Sequence, residues 1–219
     1  MSVSAPAGLG AGLTGIGGRC AVRARRDPMA WSALPVGAQV YVAAIIGTGA
    51  WLMLTAFPSF PPRPLLFASL VLFSSVTSTW KVNLPLSRSN GSTLSVSYAA
   101  DLVALLLLGP DYAMIVAVAG AWTQCTYRAK QKYPWYRTVF SMAGEAITIQ
   151  ATGVVYLWLS GGVDLLQSTE ISRTVVAVIA TYYVVNTGLV AIAIALSTGQ
   201  STWRVWHDVF LWSGCQLFW

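Results

Sequence analysis

Long apolar runs separated by short polar loops constrain the fold of this chain more than any other feature. Seven runs stand out, at residues 36–57, 64–80, 93–108, 112–126, 138–159, 174–196 and from 209 onward. Hydrophobic residues make up 56% of the chain and charged residues 9%, whereas charged residues make up about a quarter of an ordinary soluble domain. The sequence therefore excludes such a domain and predicts an all-α fold, a polytopic transmembrane helical bundle.

The lengths of the runs predict six complete spans and a truncated seventh. An α-helix rises about 1.5 Å per residue and the hydrocarbon core of a bilayer is about 30 Å thick, so about 20 residues cross it. The third and fourth runs are shorter, and we expect close packing, tilt or local thinning of the bilayer around them. Because the last run reaches Trp219 after about half the required length, the predicted transmembrane domain, residues 36–219, is incomplete at its C-terminus.

Residues 1–35 differ in composition from the rest and are expected to form a disordered basic leader. They are rich in glycine, alanine and serine, and four arginines lie between residues 19 and 26. Such a segment cannot bury a core. Met1 and Met29 both stay open as the start of translation.

The distribution of lysine and arginine predicts the orientation of the bundle. These residues concentrate in the leader and in the loops after the second and fourth runs, which lie on one side if every run crosses the bilayer. Short cytoplasmic loops collect such residues, so we expect a multi-pass protein of the plasma membrane with a cytoplasmic N-terminus. The net charge of +6 then reflects topology and contact with lipid headgroups, and nucleic acid is not an expected partner.

Polar side chains inside the apolar runs are candidates for an intramembrane polar site. Asp101 lies near the middle of the third run and Glu145 lies in the fifth. A carboxylate at the centre of a span costs about 2.5–3.5 kcal/mol, so it must face the bundle interior, a partner or water. Together with Gln150, Gln124 and Asn186, the two acids are predicted to line one polar cavity for a ligand, ion or proton. Interhelical hydrogen bonds that serve packing alone stay open as the alternative.

Two further patterns concern packing within the bundle. Alanines at positions 113, 117 and 121 recur every four residues, and Gly120 adjoins them, so one face of the fourth run lets another helix approach closely. Tyr182 and Tyr183, next to Asn186, are candidates for the wall of a ligand site. Aromatic residues in bundle cores more often fill space, so we interpret this pair as packing residues.

Little of the chemistry that marks metal or catalytic sites occurs in the sequence. The single histidine, His207, excludes a paired-histidine zinc or haem site. Cys20, Cys125 and Cys215 are far apart and lack C-x-x-C spacing, so neither a disulfide framework nor a metal site is indicated. We therefore predict no metal and no cofactor, and we assign no catalytic residue.

Three stretches carry a resemblance to a known group of proteins. They are KVNLPLSRSNGSTLSVSYAADLVALLLLGP at residues 81–110, AWTQCTYRAKQKYPWYRTVFS at 121–141 and NTGLVAIAIALSTGQSTWRVWHDVFLW at 186–212. They resemble the N-terminal multi-spanning membrane region of bacterial signalling proteins in which HD-type phosphohydrolase (HD-GYP) or diguanylate cyclase domains follow. The resemblance implies a sensor or anchor in the bacterial inner membrane that controls cyclic di-GMP turnover in the cytoplasm. With one histidine and no G-G-D-E-F sequence, no residue here inherits catalysis.

The leading hypothesis is a membrane-embedded sensory or anchoring input domain whose catalytic output domain is missing from this chain. The alternative is a small-solute transporter or its substrate-binding membrane subunit, because short spans with a central acid also suit a ligand pocket. An intramembrane enzyme would use Asp101 and Glu145 as a carboxylate pair, but no sequence feature brings the two within reach. The expected partners are the lipid bilayer, a small-molecule ligand, and a second copy in a homodimer formed through the full-length protein.

Overall fold

A computed structural model describes residues 31–56, 61, 63–79, 81–83, 93–95, 97–127, 134–161 and 171–207. The helices are α1 (Val36–Thr55), α2 (Pro64–Thr79), α3 (Ser97–Leu108), α4 (Pro110–Thr126), α5 (Trp135–Ser160), α6 (Ile171–Thr198) and α7 (Thr202–Trp206). A 3-10 turn, Trp31–Ala33, precedes α1, and the strands β1 (Lys81–Asn83) and β2 (Thr93–Ser95) pair antiparallel. Residues 1–30 of the predicted leader and the predicted seventh run from residue 209 lie outside the described residues.

Glycine and proline fix several of the helix ends. Gly109 has a φ of 85° immediately before α4, and Pro110 is the first residue of that helix, where its missing N–H costs nothing. Pro134 is the residue immediately before α5. Gly161 ends α5 in the left-handed region, with a φ of 59°. These residues separate α3, α4 and α5 sharply, so the three helices pack as distinct elements.

The prediction of six complete spans and a truncated seventh is wrong. Among the described helices, only α1 and the Ser172–Thr198 part of α6 are both long and apolar enough to cross a membrane. α2 has 16 residues and α3 has 12, so at about 1.5 Å per residue α3 reaches only about 18 Å. α5 has 26 residues but is too polar along its length. The two candidate spans are compatible with a membrane location.

The third apolar run illustrates why counting runs overestimated the spans. Its first residues, Thr93–Ser95, form β2 instead of extending α3, because they pair with β1 in the register Lys81 opposite Ser95 and Asn83 opposite Thr93. Pairing with β1, which lies ten to fourteen residues earlier in the chain, is not visible in the composition of the run itself. The helix that remains therefore begins only at Ser97.

α4 and α5 form the centre of the bundle. α4 packs against α2, α3 and α5, while α5 also contacts α1 and α6. The interior between them is filled by fully buried side chains from these helices, among them Leu105, Met114, Val116 and Ile149. Leu70 of α2 and Val178 of α6 belong to the same buried cluster. The core is therefore built from residues of α2 to α6, with α1 packed against it.

The predicted close approach on the small-residue face of α4 is confirmed. Ala113, Ala117 and Ala121 are all buried. At Gly120, an added Cβ would lie 2.5 Å from the Oγ atom of Ser74 on α2, a distance at which neither atom fits. The absence of a side chain at Gly120 is thus what lets Ser74 and the middle of α2 reach the interior.

We expect Gly120→Ala to lower the free energy of unfolding by about 1–2 kcal/mol, because the new methyl group overpacks the contact with α2. Thermal unfolding of the purified protein in detergent micelles measures this loss. The matched control is Gly188→Ala in α6, where an added Cβ meets no atom within 4 Å and alanine should instead stabilise the helix slightly. In a Ser74→Ala background the side-chain atom nearest to the new methyl becomes Ser78 Oγ at 3.1 Å, and the Cβ of residue 74 lies at 3.7 Å, so the loss should be smaller. Equal losses in both backgrounds would contradict the contact with Ser74.

Candidate functional site

An aspartic acid lies deep inside the bundle at the junction of α2 and α3. Asp101 is only 2% exposed, and its neighbours one turn further along α3, Ala104 and Leu105, are completely buried. The Oγ of Ser74 on α2 donates a hydrogen bond to Asp101 Oδ1 at 3.1 Å. A buried carboxyl group requires such a donor, because its lost hydration costs several kcal/mol when nothing replaces it.

A second acid, Glu145 on α5, accepts hydrogen bonds from two side chains of α6. The Tyr182 hydroxyl donates to Oε2 at 2.9 Å and the Asn186 amide donates to Oε1 at 3.2 Å. Tyr182 and Asn186 are four residues apart, so they lie one turn apart on the same face of α6. Both oxygens of Glu145 are therefore bonded to a single helix face, and this contact fixes α6 against α5.

The two acids belong to one polar cluster. Tyr182, which is bonded to Glu145, belongs to the same buried core cluster as Ala104 and Leu105, the residues one turn beyond Asp101. Within the part of the chain that the structure describes, no lysine, arginine or histidine interacts with either acid. We call Ser74, Asp101, Glu145, Tyr182 and Asn186 the carboxyl cluster; it connects α2, α3, α5 and α6.

The structure brings together three of the five predicted site residues, Asp101, Glu145 and Asn186. Gln150 lies elsewhere, where its amide donates to Asp111 Oδ1 at 3.3 Å and contacts the sulfur of Met114 at 3.6 Å. Gln124, near the C-terminal end of α4, forms no hydrogen bond with the carboxyl cluster. The structure therefore joins neither glutamine to the carboxyl cluster by a hydrogen bond, and a single cavity lined by all five residues stays a prediction.

Sequence reasoning missed two members of the carboxyl cluster. Tyr182 was interpreted as a packing residue, yet its hydroxyl is bonded to Glu145; its spacing of four residues from Asn186 was the available signal. Ser74 had no such signal, since serine is common in apolar helices. What selects Ser74 is its position opposite Gly120, which only the packing of α2 on α4 reveals.

The residue of α6 that follows the carboxyl cluster contacts α7, the last helix that the structure describes. Thr187 follows Asn186 directly, and its Oγ1 accepts a hydrogen bond from the Trp206 indole nitrogen of α7 at 3.0 Å. Val205 is also buried, against Ala191 of α6 and its neighbours. α6 therefore contacts the acid of α5 and the helix α7 through the adjacent residues Asn186 and Thr187.

The composition of the cluster limits what it can bind. Two carboxyl groups, two hydroxyls and an amide can hold a proton or hydrogen-bond a small polar ligand. In the described residues, no group of three or more histidine, cysteine, aspartate or glutamate side chains that could hold a metal ion was found.

No family model, no curated protein and no solved structure matches this chain. The carboxyl cluster and its contacts are therefore the features from which a function is inferred.

We expect Tyr182→Phe to destabilise the protein by about 1–2 kcal/mol, because it leaves Glu145 Oε2 without its donor. The measurement is thermal or denaturant unfolding in micelles. Tyr98→Phe, which removes the same hydroxyl from a 39% exposed tyrosine of α3, serves as the control and should change stability by less than about 0.5 kcal/mol. Equal effects of the two substitutions would mean that the Tyr182 hydroxyl does not stabilise the cluster.

Proposed function

We propose that this chain is a membrane-embedded sensory or anchoring input domain of a bacterial signalling protein. The observation that carries the proposal is the position of Asn186 and Thr187. Asn186 donates to Glu145 in the carboxyl cluster, and the next residue, Thr187, accepts from Trp206 of α7. A change in the hydrogen bonds of the cluster shifts α6, and a shift of α6 changes how α7 packs against it.

The distribution of apolar side chains supports a bilayer as the surroundings of the bundle. Leu65 is 86% exposed, Trp158 80%, Leu54 79% and Val176 67%, and these residues belong to four different helices. The interior, in contrast, contains buried serine, threonine and aspartate side chains. A bundle in water keeps most of its large apolar side chains inside and presents polar ones to the solvent, whereas acyl chains suit an apolar exterior. We propose that α1 and α6 cross the inner membrane of a bacterium, with the N-terminus in the cytoplasm.

The proposed output is cyclic di-GMP turnover, catalysed by a cytoplasmic domain that these 219 residues do not include. Support for this part comes from the resemblance of residues 81–110, 121–141 and 186–212 to the membrane regions of such signalling proteins. The proposal assigns sensing or anchoring, and no catalysis, to the chain described here. A homodimer of the full-length protein would bring two output domains together, as the same resemblance implies.

A small-solute transporter is the second candidate, because it also needs acids inside a bundle. Buried carboxyl groups that change partners are the usual means by which transporters couple solute and proton binding. The two functions differ in a measurable way: a transporter accumulates solute in sealed vesicles, and an input domain does not. Uptake by reconstituted vesicles that disappears in Asp101→Asn would favour the transporter over the input domain.

The coupling between the cluster and α7 can be tested by hydrogen exchange in the full chain, reconstituted in lipid nanodiscs. Asn186→Leu removes a donor from Glu145 and should speed amide exchange in the peptide that covers residues 202–206 by about tenfold or more, equivalent to about 1.4 kcal/mol of lost protection. Gln150→Leu, a matched amide-to-apolar change outside the cluster, should leave that peptide unchanged. If both substitutions, or neither, alter exchange in α7, the proposed transmission from the cluster is wrong.

A further inference from the structure

A cavity of about 210 Å³ opens where α5 ends and α6 begins. The described residues that line it are Trp158 and Leu159 of α5 and Arg173 and Thr174 of α6. Pockets for drug-sized ligands have volumes of about 300–1,000 Å³, and one water molecule occupies about 30 Å³ in the liquid. The cavity therefore suits a small polar group with a few waters and is too small for a larger ligand.

A buried hydroxyl group on the wall of this cavity lacks a hydrogen-bond partner. Thr174 is 3% exposed, yet its hydroxyl forms no hydrogen bond with the described part of the chain. Two other buried threonines, Thr148 and Thr152, donate to the carbonyl four residues earlier in α5, at 2.8 and 2.7 Å. Thr174 is the fourth residue of α6, so its own helix has no carbonyl at that position. Because burying an unbonded hydroxyl is costly, we expect a ligand to supply the acceptor.

A second hydroxyl without a partner lies next to the cavity lining in the chain. The Oγ of Ser160, the last residue of α5, is enclosed by protein and has no hydrogen-bond partner. It directly follows Leu159, which lines the cavity. The other buried serines and threonines of the described residues are all bonded. Both unmet hydroxyls thus belong to the corner between α5 and α6.

The same corner contains a cation and the start of a long helix. The guanidinium group of Arg173 has five N–H donors, arranged to bond phosphate or carboxylate oxygens in pairs. Arg173 also interacts with another part of the protein, which a group with five donors can do while it bonds an anion. α6 has 28 residues, and the first four backbone N–H groups of a helix lack partners within it and favour negative charge. An anion rich in acceptor oxygens matches these donors.

Trp158 indicates where the cavity lies relative to a bilayer. Its side chain is largely exposed, and indole groups of membrane helices prefer the level of the lipid headgroups. The Ser172–Thr198 part of α6 is long and apolar enough to cross a membrane, so the first turn of α6 lies at one end of that crossing. The anionic group that phospholipids present at this level is a phosphate.

We propose that the corner between α5 and α6 binds one phosphate group, with Arg173 and Thr174 as donors, and that a phospholipid headgroup supplies it. The phosphate site itself stands on the cavity and its donors. The lipid as the source rests on the proposed function, since it requires α6 to cross the bilayer.

Native mass spectrometry of the full chain in detergent micelles tests the site with phosphatidylglycerol, with diacylglycerol of the same acyl chains, and with inorganic phosphate. Wild-type protein should retain phosphatidylglycerol and not diacylglycerol. Thr174→Val keeps the shape of the side chain and removes its hydroxyl, so binding should weaken about fivefold. Arg173→Gln should weaken it about tenfold or more, because a charge-assisted pair of hydrogen bonds is lost.

The start of α5 provides the matched control. Arg137 and Thr138 occupy the third and fourth positions of that helix, as Arg173 and Thr174 do in α6. Arg137→Gln and Thr138→Val should leave the binding of phosphatidylglycerol unchanged. Equal losses at the two helices would mean that arginines attract anionic lipid without a site, and this result overturns the proposal.

Amide hydrogen exchange locates the ligand and identifies its source. Phosphatidylglycerol should slow exchange in the peptide that covers residues 171–174 about threefold or more relative to diacylglycerol, because the phosphate accepts from the free N–H groups. If inorganic phosphate slows these amides and phosphatidylglycerol does not, the phosphate site stands and the lipid source is wrong. If neither slows them, the site itself is wrong. Neither result depends on whether the carboxyl cluster affects exchange in α7.

Discussion

The packing of two carboxyl groups inside the bundle, with no cation bonded to either among the described residues, is the constraint on which the rest of the bundle depends. Removing a carboxylate from water costs several kcal/mol even after relaxation, and here no described cation offsets it. The compensation comes from hydroxyl and amide donors of α2 and α6. Each of these helices therefore has one orientation in which its donors reach an acid, so the polar interior specifies how the apolar helices are arranged.

Close packing and the polar site depend on each other. Gly120 lets α2 approach α4 until the Ser74 hydroxyl reaches Asp101. Contacts this short need small residues on both helices, and at the bundle centre they leave room only for side chains as small as serine. A substitution that separates α2 from α4 would therefore affect stability and the environment of Asp101 together, which links the fold directly to the candidate site.

The position of the site explains how a local event would reach the end of the described chain. Asn186 and Thr187 are adjacent on α6, and they contact an acid on one side and Trp206 on the other. The proposed function depends on this adjacency, because a packed helix tends to move as one element. It therefore rests on the relation between two contacts of α6 more than on the chemistry of any single residue.

By itself, the sequence determined the all-α character, the positions of most helices, the burial of Asp101 and the small-residue face of α4, because apolar content, helix-ending Gly109 and Pro110, and residue size act locally. The pairing of segments decided which helices are long enough to be candidate spans, since Thr93–Ser95 pair with β1 and do not extend α3. Tertiary structure decided which polar residues meet. Glu145 bonds to Tyr182 and Asn186, while Gln150 bonds to Asp111. The axial position and rotation of each helix decide these pairings, and both are set by packing against neighbouring helices. Neither can be predicted from amino-acid composition.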